Sequence, residues 1–379
     1  MSIYLVTLLN VLNSIALRGS RVLMSLFAIQ LGAGAFEIGL LIAVSLVFQL
    51  FLGIYAGRVA DRYGFRLPIL LGSLGSSLAM LVPWLLPDLT GLYGSRALTG
   101  LSFIFFAVAI QNLAASMDGP DMRARNLSTF TLGGSISGMI APLLVGFSID
   151  HRGHVATFLY LTLIVAASCV AWVACRRKIP HSGTAPKSAP TGGVRELLRQ
   201  PRLRRIMIMS GLVVAGVDLY TFYMPIYGHS IDLSATMIGV ILGAHAAANL
   251  VVRSFLPQLV RRWGEERVMT TSMVLAGVTF LLFPFAGQVA FLLLLSFTLG
   301  LVLGVGQPLS LVMTYNRAPA GRTGEALGMR FTVVNVTHMV IPMAAGTIGA
   351  ALGVVTVFYA NAALLLGGGY AHYRSEKKA

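Results

Sequence analysis

The sequence predicts an all-α integral membrane protein of twelve transmembrane helices, arranged as two pseudo-symmetric six-helix halves. Three observations carry this. Only 11% of the 379 residues are charged while 56% are hydrophobic, and the mean hydropathy is +0.80. Twelve apolar runs are long enough to cross a bilayer. A constant offset of 200 residues lays the second half of the chain on the first.

The charge content comes first. A soluble domain carries about 25% charged residues to wet its surface, so this chain must use lipid as its main solvent. The net charge of +15 is spread as short basic clusters between apolar runs and not on one folded face, which argues against nucleic acid as a partner. Cys169 and Cys175 lie inside one apolar run, and no Cys/His ligand spacing accompanies them. No metal, nucleotide or organic cofactor is expected. The run from about Ile3 lacks a basic leader and a small-residue cleavage site, so it reads as the first membrane helix and not as a signal peptide.

The length of the runs comes next. A hydrocarbon core about 30 Å thick needs about 20 apolar residues per helix. Runs that meet this fall near 4–30, 36–57, 67–87, 89–115, 124–149, 155–175, 206–229, 235–260, 268–287, 290–315, 323–349 and 353–372. The boundaries expected are an N-terminal bundle over 1–175, a basic linker over 176–205 and a C-terminal bundle over 206–379. With both termini in the cytoplasm, 22 of the 28 Lys and Arg residues lie on the cytoplasmic side. Only Arg152 lies opposite, which sets the orientation.

The repeat is direct. Ile38-Gly39 meets Ile238-Gly239, Arg62-x-Gly64 meets Arg262-x-Gly264, Gly100-Leu101 meets Gly300-Leu301, and Pro142-x-x-x-Gly146 meets Pro342-x-x-x-Gly346. One offset shared by four segments marks two parallel six-helix repeats.

The segment from Gly57 to Arg66 reads Gly-Arg-Val-Ala-Asp-Arg-Tyr-Gly-Phe-Arg and is followed by Leu70. It resembles the 2–3 loop signature of the major facilitator superfamily, G-x-L-A-D-R-x-G-R-K-x-x-L. Gly57, Ala60, Asp61, Arg62, Gly64 and Leu70 match, Arg66 supplies a basic residue, and Phe65 departs from the pattern. The second copy keeps only the basic end, in Arg261, Arg262 and Gly264. The resemblance implies that Gly57, Asp61, Arg62, Gly64 and Arg66 form a conformational latch. Arg96-x-x-x-Gly100 is similar to the fourth-helix motif linked to proton coupling. Ala141-Pro142-x-x-Val145-Gly146 is a worn version of the fifth-helix pattern associated with exporters.

Six charges lie within the runs: Arg18, Arg21, Arg96, Asp218, Arg253 and Arg330. Facing lipid, each would cost roughly 3 kcal/mol, so they must line a cavity or snorkel from a helix end. They avoid the third, sixth, ninth and twelfth runs, which in this superfamily are the lipid-facing supports. Asn10, Ser14, Arg18 and Arg21 share one face of the first run. The repeat offset sends Arg18 to Asp218, which reads either as a titrating coupling pair or as a permanent salt bridge. His245, Asn249 and Arg253 form a stripe on the eighth run, and the eleventh offers Arg330, Asn335 and His338. Gln111 and Gln307 are further candidates for the lining. Tyr220, Tyr223 and Tyr227 share a face of the seventh run roughly opposite Asp218, so one of the two faces the cavity.

The resemblance implies a secondary transporter working by alternating access, and not an enzyme. Five arginines and two histidines against one aspartate point to a small anionic solute. Arg18, Arg21, Asn10, Gln111, His245, Asn249, Gln307 and Asn335 would bind it, and Asp218, Arg96 and His338 would couple its movement to protons. A broad-specificity efflux pump for drugs and amphiphiles, or a lysophospholipid flippase, is the alternative. The expected setting is a lipid bilayer, multi-pass in the plasma membrane (the inner membrane if bacterial), as a monomer.

Overall fold

The computed structural model describes residues 3–117, 123–175, 199–318 and 323–376, and every long element among them is a helix. The first half contains α1 (Ile3–Gln30), α2 (Ala35–Tyr63), α3 (Arg66–Leu85), α4 (Leu89–Ser116) and α5 (Arg123–Cys175). The second contains α6 (Pro201–Ser230), α7 (Ala235–Trp263), α8 (Glu265–Leu282), α9 (Val289–Gly304), α10 (Gly306–Arg317), α11 (Thr323–Leu352) and α12 (Val354–Glu376). Ten helical stretches among the described residues are long and apolar enough to cross a membrane, and Phe36–Gln49 in α2 is a shorter apolar one.

Three boundaries differ from the sequence expectation. The fifth and sixth runs form one element, α5, kinked at Gly153, whose φ of 79° interrupts the helical conformation. Its apolar stretch of 47 residues is long enough for two crossings. The tenth run is broken between α9 and α10, where Gly304, Gly306 and Pro308 follow closely and Pro308 has no N–H to give. Residues 201–205, assigned to the linker for their charge, begin α6; a proline in the first helical turn loses no hydrogen bond.

Backbone geometry carries the repeat further than the side chains do. The positive-φ residues among those described are Gly32, Gly64, Gly153, Asp232, Gly264 and Gly353. They form three pairs, each 200 apart. α1 ends with Gly32 N–H bonded to Ile29 O at 2.9 Å and Ala33 N–H to Ala28 O at 2.9 Å. α6 ends in the same motif, with Asp232 bonded to His229 O at 3.1 Å and Leu233 to Gly228 O at 2.9 Å. Asp232 therefore holds at φ 60° a position that its twin fills with glycine.

Contacts divide the chain into two units, Met1–Pro186 with Gly228–Gly243, and Lys187–Tyr227 with Ala244–Ala379. The first unit is built on close helix crossings. A Cβ at Gly72 would lie 2.6 Å from the Phe106 amide, which is why α3 and α4 can touch there. Glycines at 100, 146 and 239 likewise lie against the backbones of Ser45, Ala235 and Pro142. The worn exporter-type segment of α5 thus crosses the start of α7 with the two backbones in contact. At the Gly64 end, Phe65, Ile69, Phe106, Ile110, Leu113 and Trp172 pack together, and Trp172 Nε1 donates to Arg66 O at 3.2 Å.

The second unit has an aromatic core in which Phe283 and Phe358 stack at 5.4 Å. At the equivalent of the Trp172–Arg66 position it has charges instead. Glu266 on α8 meets Arg317 of α10 and His372 of α12.

Candidate functional site

In the first unit the polar face of α1 is partly used for packing. Asn10 and Ser14 are buried, with Ser14 Oγ 3.5 Å from Asn10 Oδ1. Asn13, which the one-face reading passed over, is the helix crosslink: its amide donates to Ser168 Oγ at 2.8 Å and to Leu9 O at 3.1 Å. Such inter-helix hydrogen bonds between small polar groups are a recurrent way of fixing helices in lipid. Arg18 is exposed within its unit, and its guanidinium runs beside Gly138, where a Cβ would sit 3.3 Å from Nη1. Arg21 is half-buried. Arg96 on α4 is 1% exposed, and its Nε and Nη2 have no hydrogen-bond partner. The Arg21 charge is close enough to act on it. Gln111 is exposed on the same helix.

At the Gly153 kink, Asp150 lies between the two predicted crossings. Its carboxylate accepts from the backbone N–H groups of Ala235 at 3.1 Å and Thr236 at 2.7 Å, at the N-terminus of α7. A negative charge there meets the positive end of the helix dipole. Burial would raise its pKa, but hydrogen bonds from Thr236, Ala235 and Ser234 outweigh that and hold the carboxyl below its ordinary value.

In the second unit Asp218 on α6 and His338 on α11 are brought together, Oδ2 against Nδ1. Their side chains are 12% and 27% exposed, so the pair is shielded and still reachable. The spacing of 120 residues gave no local signal for this contact. The tyrosines of α6 are used for packing within this unit. Tyr220 and Tyr223 are fully buried, and Tyr227 donates to Phe283 O at 3.2 Å. They pack into the bundle, and the face of α6 that bears Asp218 is the less packed of the two.

The other candidates separate in the same way. His245 is buried against the Tyr220 ring at 4.4 Å. Asn249 donates to His245 O at 3.2 Å, and Asn335 to Phe331 O at 2.9 Å, each along its own helix. Arg330 donates to Ser310 Oγ at 2.8 Å and to Gln307 O at 3.0 Å, tying α11 to the broken end of α10. Arg253 is exposed. Of the loop signature, Gly64 turns the chain at φ 72° and the Arg66 carbonyl is held by Trp172. The side chains of Asp61 and Arg62 lie outside the described residues.

A helical membrane scaffold with paired repeats and polar groups inside each bundle defines a transporter class, and comparison with known proteins gives the same class. The sequence profile of the Major Facilitator Superfamily matches residues 6–270 and 231–378. The chain is 22% identical to multidrug resistance protein MdtG of Klebsiella pneumoniae over 339 residues, covering 86% of this chain and 81% of that one. It is 26% identical to the class C tetracycline resistance protein of Escherichia coli, covering 86% and 80%. The solved structure of the nucleoside transporter NupG superposes with a TM-score of 0.82 at 14% identity, covering 98% of this chain and 99% of that one. The chain belongs to the major facilitator superfamily of membrane transporters.

Proposed function

We propose that the chain is a proton-coupled exporter of small amphiphilic compounds. It would sit in the inner membrane of a bacterium as a monomer, with both termini and the Gly64 end in the cytoplasm. The Asp218–His338 pair carries the reading. A half-shielded carboxylate beside an imidazole can take up and release one proton as its surroundings change, which is what coupling needs. Arg96, on the fourth-helix motif, is the second group that the family resemblance links to coupling. Support for export comes from the Pro142–Gly146 crossing of α7 and from relatives whose names denote multidrug and tetracycline resistance. These favour efflux over the anionic-solute reading drawn from charge count alone.

The test is uptake of ethidium or tetracycline into inside-out vesicles under an imposed pH gradient. Wild-type protein should accumulate the compound only with the gradient present, and Asp218→Asn should abolish the gradient dependence. Transport indifferent to pH, with Asp218→Asn as active as wild type, would remove the coupling.

One observation keeps the anionic cargo as a second reading: Arg18, Arg21 and Arg96 all lie within the membrane part of the first unit. A thermal-shift screen separates the two, because a ligand that binds the folded state raises the melting temperature. Stabilisation by anionic metabolites, lost in Arg18→Gln, would favour the second reading; stabilisation by lipophilic cations alone would exclude it.

A further inference from the structure

We infer that the first unit holds an anion-binding subsite between Arg21 and Arg96, built for one compact monoanion. The geometry of Arg96 is the starting point. Its side chain is 1% exposed, and the two nitrogens without a partner, Nε and Nη2, form one edge of the planar guanidinium. That edge presents two parallel N–H groups, the arrangement that grips the two oxygens of a carboxylate or a single halide. A guanidinium keeps its charge at any physiological pH, so Arg96 cannot escape by deprotonation. A buried charge of this kind is tolerated when something of opposite sign reaches it.

No described carboxylate of the unit is available for that purpose. Glu37 Oε2 accepts from Gly34 N–H at 2.8 Å, and Asp88 Oδ1 caps α4 through Gly91 N–H at 2.7 Å. Asp150 is committed to the start of α7, and Asp232 is exposed. Asp61 is far away. Tyr93 meets Glu37 and Gly100 meets Ser45, so α2 and α4 run parallel. Asp61 then stands beyond that crossing and Arg96 before it, separated by about 30 Å at about 1.5 Å rise per residue. The second charge near Arg96 is another guanidinium, Arg21 on α1, which deepens the positive potential. Two arginines whose charges act on each other, one of them buried with an open donor edge, form a site for an anion.

The anion could be free chloride or a carboxylate on the cargo; the chemistry of the site is the same. The inference does not require the export reading, and its test reads binding without transport. Purified protein in gluconate buffer is melted while sodium chloride or sodium acetate replaces sodium gluconate at constant ionic strength. Wild type should show a saturable rise in melting temperature with one or both anions. Arg96→Gln should abolish it, Arg21→Gln should weaken it, and Arg96→Lys should restore part of it. Arg253→Gln, in the other unit, should leave it unchanged. Saturation by chloride identifies a resident counter-ion, and a response to acetate alone identifies a place for a cargo carboxylate. A response that persists in both Arg96→Gln and Arg21→Gln, or no response in wild type, overturns the subsite. If Arg96→Gln does not fold, Arg21→Gln decides: an unchanged half-saturation concentration overturns it.

Discussion

Asp150 offers the sharpest check on the structural reasoning, because its effect is confined to one charge and the hydrogen bonds it accepts at a single helix start. Replacing it with alanine removes the acceptors for Ala235 and Thr236 N–H at the start of α7. Loss of a helix N-terminal cap costs about 0.5–2 kcal/mol, and the charge–dipole contribution is about 0.3–1 kcal/mol for a surface group. The α7 terminus keeps a second cap, since Ser234 Oγ accepts from Met237 N–H at 3.2 Å. The expected loss is therefore in the lower half of the capping range, about 1 kcal/mol, or about 1 °C in melting temperature for a chain of 379 residues. Asp150→Asn keeps an acceptor oxygen and loses only the charge, so it should fall about half as far. The folded-state pKa is depressed, so the carboxylate's contribution is fully present above its unfolded value of about 3.9 and fades as pH falls below that. Melting curves of purified wild type, Asp150→Ala and Asp150→Asn from pH 7 downward would show the gap closing on the acid side. An Asp150→Ala protein that melts with wild type at pH 7, or a gap that does not narrow in acid, would refute the cap.

Two further outcomes follow from backbone geometry. Gly239→Val places branched carbons against the Pro142 carbonyl, and the crossing of α5 and α7 cannot absorb them; overpacking of this kind costs about 1–3 kcal/mol. It should lower the melting temperature and reduce the yield of monodisperse protein, and a wild-type melt would show that the helices are not in backbone contact. Asp232→Gly relieves the left-handed conformation that the equivalent Gly32 adopts freely, and should leave the protein as stable as wild type or raise its stability by about 1 kcal/mol. A clear fall in melting temperature would show that the Asp232 side chain holds the turn.

Much of this architecture is legible in the chain because lipid imposes few solutions. Apolar runs of bilayer length and basic clusters between them place the helices to within a few residues, as at α1 and α4. The repeat was visible through residues that matter for packing, such as Gly100 and Gly300. The turns at Gly32 and Asp232 hid it, since the same backbone twist is served there by different residues. The break after α9 was hidden for another reason: hydropathy is indifferent to Pro308, although the backbone is not. Within the candidate site, periodicity placed Arg18, Arg21 and Asp218 on helix faces. Helical periodicity cannot say which face packs inside its own bundle, and so the tyrosines of α6 and the role of Asn13 needed coordinates. The meeting of Asp218 with His338 joins two helices far apart in sequence and could only come from the fold.

The paired left-handed turns imply a division of labour that outlasts the duplication. Where chain direction is at stake the two repeats keep one form, with glycine at both members of two pairs and Asp232 opposite Gly32 in the third. Where charge is at stake they have diverged: the first carries guanidinium groups at Arg18, Arg21 and Arg96, the second adds an acid and an imidazole, Asp218 and His338, to its own Arg253 and Arg330, and Trp172 faces one bundle end where His372 faces the other. Like backbones thus carry unlike chemistry, much as the two pans of a symmetric balance can be loaded differently.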